Sequence, residues 1–179
     1  MDEARVIERK TYKDWFNLPE GTRAELVDGH LVMMSSPSTR HQRALMSMSG
    51  EIYHFLKNRR CEVFTAPFAV RLFDDVFEPD ITVVCDPKKL GKYGCNGAPD
   101  LIVEILSPSN KKHDTWVKYN KYMLAGVPEY WIADTAENTV DVHILKDGLY
   151  SARKYGGGST VPVGVLPGCE INLGEILGA

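Results

Sequence analysis

This sequence lacks several features that mark other classes of protein. No apolar run approaches the about 18 residues that suggest a membrane span. The four cysteines form no C-x-x-C pair, which argues against a zinc site and against a dense disulfide framework. The segment 1–10 is too charged for the apolar core of a signal peptide. We therefore expect a cytoplasmic protein with no membrane partner, whose cysteines are reduced and mostly buried.

Motifs for nucleotide binding and serine hydrolysis are missing as well. The chain contains neither G-x-x-x-x-G-K-[ST] nor G-x-G-x-x-G, and no G-x-S-x-G motif supports a serine nucleophile. A basic excess is also lacking, because 21 lysines and arginines face 24 acidic residues and the net charge is −3. A nucleic-acid partner would therefore have to be bound through a local patch or a metal.

Length and composition predict a single domain over residues 1–179, since 44% of the residues are hydrophobic and 25% are charged. A short helix is predicted over 12–18, and two principal helices from the capping residues 36–39 to about 58 and over 114–125. Strands are predicted at 23–27, 30–34, 61–65, 68–73, 79–84, 101–106, 129–133, 139–145 and 149–155, with a lysine-bearing loop at 86–97 and a short strand and helical turn over 170–177. The prediction is a mixed α/β (α+β) fold with a central mixed β-sheet flanked by helices.

An acidic residue interrupts the most apolar strand of the chain. Glu104 lies inside the Leu-Ile-Val-Glu-Ile-Leu run at 101–106, and such a run is typical of a strand covered on both faces. Because burying an unpaired carboxylate is costly, Glu104 must be paired, protonated or bound to a cation. Asp80 opens the strand at 79–84. If the two strands are neighbours, both carboxylates could converge on one hard divalent cation such as Mg²⁺.

Two further residues are candidates for the same site. Glu25, on the first predicted hairpin strand, is a third carboxylate. An ordinary salt bridge remains the alternative for each of the three carboxylates. Lys118 shares a helix stripe with Asp114 and Tyr122, and its ammonium could extend to solvent or point at the carboxylates.

An acidic chain that binds nucleic acid needs local groups that contact phosphate. His41 begins the first long helix in register with its apolar face, and is either a satisfied core histidine or a phosphate contact. Lysines form two local basic runs, which are either solvated loops or a rim that faces phosphates, at positions 88, 89, 92, 111, 112, 118 and 121. Three nearby aromatic residues could add stacking, namely Tyr93, Trp116 and Tyr119.

Several segments of the chain form a pattern that covers about residues 12–177. They are the hairpin at 24–38, Glu78-Pro-Asp80, the segment at 98–109 with Val-Glu-Ile-Leu-Ser-Pro-Ser, the segment at 125–134 with Gly-Val-Pro-Glu-Tyr-Trp, and the single residues His41, Asp114, Lys118 and Tyr122. This pattern resembles the Uma-two family, which belongs to the restriction-endonuclease-like PD-(D/E)xK superfamily.

The resemblance implies a mixed sheet flanked by helices and a metal-dependent nuclease site. Asp80 would match the acidic residue of the first motif, Glu104 that of the second, and Glu25 the upstream acidic residue. The position two after Glu104, where the superfamily has its lysine, is Leu106 in this chain. Lys118, on the following helix, is the match for that lysine.

The function implied is a metal-dependent DNA endonuclease that hydrolyses phosphodiester bonds with Mg²⁺ or Mn²⁺. Asp80 and Glu104, with Glu25, would hold the cation, and Lys118 would orient the attacking water and neutralise developing charge. His41, Lys111 and Lys112 are the expected DNA contacts. A homodimer is expected, because a second copy would widen the basic rim.

Two other functions remain open from the sequence. The leucine at the motif's lysine position and the net negative charge favour a catalytically weak or inactive nuclease-fold module that acts in DNA binding or regulation. A protein-interaction scaffold would instead use exposed aromatic anchors, for which Trp116, Tyr130 and Trp131 are the candidates.

Overall fold

The described part of the chain in this computed structural model, residues 8–106 and 113–177, contains four α-helices and thirteen strands. The helices are α1 Tyr12–Phe16, α2 Thr39–Leu56, α3 His113–Ala125 and α4 Leu173–Leu177. The strands are β1 Ala24–Val27, β2 His30–Met33, β3 Glu62–Thr65, β4 Ala69–Leu72, β5 Asp75–Phe77, β6 Ile81–Val84, β7 Gly94–Asn96, β8 Leu101–Ile105, β9 Glu129–Asp134, β10 Thr139–Lys146, β11 Leu149–Gly156, β12 Thr160–Pro162 and β13 Glu170–Asn172. Among these helices, none is long and apolar enough to cross a membrane.

Most of the strands belong to two large sheets. The six-stranded sheet has the order β11-β10-β9-β8-β6-β3 and is mixed, because β8 and β9 run parallel while the other pairs are antiparallel. The five-stranded sheet has the order β2-β1-β5-β4-β7, and β12 pairs with β13 in a small third sheet. The predicted mixed α/β architecture with a mixed sheet and two principal helices is confirmed.

Side-chain alternation along β8 divides the core into two parts. Leu101, Val103 and Ile105 pack with the apolar stripe of α2, on what we call the α2 side of the six-stranded sheet. Ile102 points to the other side, the α3 side, where it packs with Tyr122 of α3 and with apolar residues of the five-stranded sheet. Glu104 shares the α3 side with Ile102, so its carboxylate is directed into the layer between the two sheets.

Turns and short strands account for most of the differences from the predicted elements. The β1–β2 hairpin turns at Asp28 and Gly29, both at positive φ, as the Asp-Gly pair predicts. The sequence does not reveal β5, β7 and β12, because each has only three residues. The predicted loop at 86–97 contains β7, where a Cβ at Gly94 would lie 2.0 Å from the Ala69 carbonyl oxygen. Only glycine allows that close approach between strands.

The expectation that all the cysteines are reduced is wrong for one pair. Cys61 precedes β3 and Cys85 follows β6, and the antiparallel register that pairs Glu62 with Val84 brings the two cysteines opposite each other. They form a disulfide across a sequence separation of 24, which the spacing of cysteines along the chain does not reveal. Cys95 and Cys169 are free and buried as expected, and burial raises the pKa of each thiol to about 11.

A cluster of aromatic rings lies between α3 and strands β9, β10 and β11. His143 stacks on Tyr130, with 5.6 Å between ring centroids, and contacts Tyr119 and Tyr150 edge-on. Its Nδ1 lies 3.2 Å from the Tyr130 carbonyl oxygen. Only 7% of His143 is exposed, and burial lowers the pKa of the imidazole below its ordinary value of 6.5.

We predict that His143 makes folding stability fall in mild acid. Below pH 6.5 the unfolded histidine binds a proton that the buried one resists, so the free energy of unfolding decreases as the pH falls from that value towards the lower folded pKa. His143→Phe keeps an aromatic ring in the cluster and removes this proton linkage. Its Tm should fall less than that of the unaltered protein between about pH 7.5 and about pH 5. Parallel pH profiles for the two proteins would contradict the assignment.

Candidate active site

Two carboxylates meet where β6 begins and β8 ends. The antiparallel register pairs Ile81 with Val103, so Asp80, immediately before β6, lies across from Glu104. Residues opposite each other on neighbouring antiparallel strands project from the same face, here the α3 side. The Asp80 Oδ2 atom accepts a hydrogen bond of 2.7 Å from the Ile105 backbone N–H. The two predicted metal ligands therefore belong to one place in the fold.

Glu104 is held by two donors from α3. Its Oε1 atom lies 3.0 Å from Lys118 Nζ and accepts a 2.8 Å hydrogen bond from the Tyr122 hydroxyl. Burial raises the pKa of Glu104 to about 7. The Lys118 ammonium opposes that rise, whereas the carboxylates of Asp80 and Glu25 add to it. A positive charge beside Glu104 would therefore be strongly favoured.

Lys118 lies between two carboxylates from different sheets. Its Nζ atom is 2.8 Å from Glu25 Oε1 on β1 and 3.0 Å from Glu104 Oε1 on β8. Burial alone would lower the pKa of Lys118, but the two carboxylates outweigh it and raise the pKa above its ordinary value. The side chain therefore remains an ammonium ion. Glu25 Oε1 also accepts a 3.0 Å hydrogen bond from the Glu78 backbone N–H, which fixes the carboxylate.

His41 reaches the Asp80 carboxylate from the N-terminus of α2. The Ser38 side chain caps this helix by accepting a hydrogen bond from the His41 backbone N–H. The His41 Nε2 atom lies 3.2 Å from Asp80 Oδ2, and this hydrogen bond raises the pKa of the imidazole. The Nδ1 atom is buried and has no hydrogen-bond partner among residues 8–106 and 113–177. His41 is therefore part of the site rather than only of the core.

These groups form one side of a cleft of about 350 Å³. Strand β2 and the segment that follows it also line the cleft, with Val32, Met33 and Met34. Met33 is 64% exposed, so the rim on that side is apolar. The remaining lining residues are Arg23, Glu25, Ser35, Ser36, Pro37, Ser38, His41, Gln42, Leu45, Ala66, Glu78, Asp80, Glu104, Ile105, Leu106, Thr115, Lys118 and Tyr130.

The oxygen donors in the cleft fit a hard divalent cation. Asp80 and Glu104 offer carboxylates on one face, and Mg²⁺ is commonly held by one or two carboxylates with water completing its shell. Within the described ranges, no group of three or more histidine, cysteine, aspartate or glutamate side chains is arranged to hold a metal. Glu25 is engaged by Lys118 and the Glu78 N–H, and its predicted role as a ligand stays a prediction.

Several residues that the sequence singles out lie either outside the described residues or in the core. Lys111 and Lys112, predicted to contact DNA, and the side chain of Asp114 lie outside the described residues. Tyr130 and Trp131 are fully buried, so the scaffold reading, which needs them exposed, is wrong for both. Both are buried because β9 is covered on its two faces: Trp131 packs on the α2 side and Tyr130 on the α3 side.

Two further side chains line the cleft although the sequence gives no sign of it. Arg23 forms a 2.8 Å ion pair with Glu78 at the edge of the cleft, and only the arrangement of the strands brings the two together. Tyr130 borders the cleft although its sequence context, Glu-Tyr-Trp-Ile-Ala, suggests only a core strand.

The fold and the cleft together define a nuclease-like α/β protein, with carboxylates and a lysine gathered at the end of a mixed sheet. The chain belongs to the Uma2 family. The model of that family, described as "Putative restriction endonuclease", matches residues 9–174. The resemblance carried by the sequence segments is thereby confirmed.

A solved structure shares this fold, and a curated protein is similar in sequence to part of the chain. The crystal structure of a "putative nuclease belonging to DUF820" from Anabaena variabilis ATCC 29413 matches with a TM-score of 0.80 and 20% identity, over 94% of this chain and 97% of that one. A curated relative, "Uncharacterized protein slr1290" of Synechocystis sp., is 27% identical over 100 residues, or 55% of this chain. The match spans 53% of that relative's length, about half of it.

We predict that removing the buried ammonium destabilises the fold. Lys118→Met leaves the carboxylates of Glu25 and Glu104 close together without their shared cation, and breaking a buried pair costs about 3 to 5 kcal/mol. The matched control is Lys154→Met, because Lys154 is 61% exposed and pairs with Asp141 at the surface. That control should lose no more than about 1 kcal/mol. Urea unfolding measures both, and equal losses would argue against a buried ion-pair network.

Proposed function

We propose that this protein is a metal-dependent DNA endonuclease that hydrolyses phosphodiester bonds with Mg²⁺ or Mn²⁺. The observation that carries the proposal is the meeting of Asp80, Glu104 and Lys118 in one cleft of a Uma2 family member. Two acidic residues and one permanent cation are the groups that metal-assisted hydrolysis of a phosphodiester needs.

Asp80 and Glu104 would hold the cation, which when bound supplies a Lewis acid that stabilises charge on phosphoryl oxygen. Contacts with other residues of the chain orient both carboxylates. The Ile105 N–H and His41 fix Asp80, while Tyr122 and Lys118 fix Glu104. Each carboxylate is therefore oriented before a ligand arrives, and little reorganisation is needed on binding.

Lys118 acts as a fixed cation rather than as a base. Its raised pKa keeps it protonated, so it can orient a water molecule and neutralise charge that develops on the phosphate, but it cannot accept a proton. Glu25 supports this role because its carboxylate holds the ammonium from the opposite side. We therefore assign Glu25 to positioning Lys118 and keep metal ligation by Glu25 as an alternative.

DNA is the substrate we propose, approached through the rim of the cleft. His41 lines the cleft at the N-terminus of α2, where backbone N–H groups also favour a phosphate. Lys111 and Lys112 precede α3 in the chain, and α3 supplies Thr115 and Lys118 to the cleft. We propose these lysines as phosphate contacts, and a homodimer as the form that doubles the basic rim.

A second candidate function is a nuclease-fold module that binds DNA with weak catalysis or none. The observation that favours it is the complete pairing of Lys118, which is held by both Glu25 and Glu104. If that pairing persists with DNA bound, the ammonium is not available to the substrate. Such a module would bind Mn²⁺ and DNA without nicking.

We predict that Asp80→Asn and Glu104→Gln each reduce plasmid nicking in Mg²⁺ or Mn²⁺ by at least about 100-fold, because each removes a charged ligand of the cation. Glu62→Gln is the matched control, since Glu62 is an exposed acid on β3 of the same sheet. Nicking is measured on supercoiled plasmid, and Mn²⁺ binding by calorimetry.

The outcomes separate the two functions. Nicking that the two site variants lose and the control keeps supports the endonuclease. Mn²⁺ binding that Asp80→Asn abolishes, without nicking by any of the proteins, supports the binding module. Equal nicking by the unaltered protein and both site variants would show that a contaminant cuts the plasmid and that the assignment is wrong.

A further inference from the structure

Tyr130 is a core tyrosine whose side chain also reaches the cleft. It lies on β9, pairs in register with Ile102 of β8, and is fully buried. Its ring contacts that of Tyr122, with 5.1 Å between the centroids, so it belongs to the layer on the α3 side. Glu104 is two residues beyond Ile102 on the same face of β8, which places Tyr130 and the carboxylates on one surface.

The Tyr130 hydroxyl differs from those of the neighbouring tyrosines. The Tyr122 hydroxyl donates to Glu104, and the Tyr150 hydroxyl donates a 2.9 Å hydrogen bond to the Val127 carbonyl oxygen. The hydroxyl of Tyr130 is buried but has no hydrogen-bond partner in the described part of the chain. An unpaired buried hydroxyl normally costs stability, and phenylalanine would fill the same space without that cost.

The position of this hydroxyl indicates what it could bind. Tyr130 borders the cleft. Burial raises the pKa of Tyr130 well above its ordinary value, and the nearby carboxylates of Glu104, Glu25 and Asp80 raise it further. The phenol therefore stays protonated and can donate a hydrogen bond beside a group of acceptors. It donates to none of those carboxylates, so its proton is available to an oxygen that enters the cleft.

We propose that the Tyr130 hydroxyl donates a hydrogen bond to an oxygen atom of a ligand that binds in the cleft next to Glu104. That oxygen is either a phosphoryl oxygen or a hydration water carried by a divalent cation. The role deepens the proposed nuclease function and rests on it. Tyr130 thus contributes to ligand binding, whereas Tyr122 positions Glu104.

Tyr130→Phe tests the role, with Tyr150→Phe as the matched control. Each substitution removes one buried hydroxyl from the same aromatic cluster, but only Tyr150 loses a hydrogen bond to the protein. We expect Tyr130→Phe to keep or raise the Tm of the ligand-free protein, and Tyr150→Phe to lower it. Calorimetry with MnCl₂ alone, and with inorganic phosphate in EDTA, should show about tenfold weaker binding for Tyr130→Phe and unchanged binding for Tyr150→Phe.

The two probes distinguish the source of the oxygen. A loss confined to Mn²⁺ identifies a hydration water, and a loss confined to phosphate identifies a phosphoryl oxygen. Unchanged affinity of Tyr130→Phe for every probe that the unaltered protein binds, or a Tm as low as that of Tyr150→Phe, overturns the role of Tyr130 alone. If the unaltered protein binds neither probe, the proposed function and this role both fail.

Discussion

A single buried ammonium joins the two large sheets of this protein. Lys118 of α3 contacts Glu25 in the five-stranded sheet and Glu104 in the six-stranded sheet. Apolar residues of α3 and both sheets pack around these ion pairs, and Lys121 of α3 adds ion pairs to Asp28 and Asp75, so charged contacts fix how the helix and the sheets are aligned. The same contacts shape the cleft, because Glu25 and Glu104, which Lys118 holds in place, both line it.

The carboxylates that line the cleft outnumber its cations, and this excess of negative charge connects stability with function. Three carboxylates lie around one ammonium, because Lys118 pairs with Glu25 and Glu104, while Asp80 pairs with His41. Burial raises the pKa of Glu104 to about 7, which shows that its charged form is costly in this structure. A protein selected for stability alone would replace such a group with an apolar one. The cost is understandable if a cation relieves it.

Much of this arrangement could be predicted from the chain, and the remainder depends on contacts that no local pattern encodes. Alternation predicts that Asp80 and Glu104 each belong to a strand, because strand geometry is local. That the two strands are neighbours depends on the pairing of β6 with β8, which the sequence left open. The Cys61–Cys85 disulfide depends on the pairing of β3 with β6. The sequence predicts Tyr130 only as an exposed anchor, since a tyrosine within an apolar strand gives no sign that its hydroxyl is buried and unpaired.

The resemblance implies a lysine two residues after Glu104, where this chain has Leu106. Leu106 lies two residues after Glu104, on the same side, and borders the cleft, so a lysine there would run along the sheet surface beside Glu104. Lys118 instead comes from α3, which packs over that surface. Its ammonium therefore reaches the Glu104 carboxylate from the helix rather than from the strand. This route places the ammonium between two sheets, where Glu25 also binds it. The lysine on the helix therefore supplies a positive charge beside Glu104, and it makes that charge part of what holds the fold together.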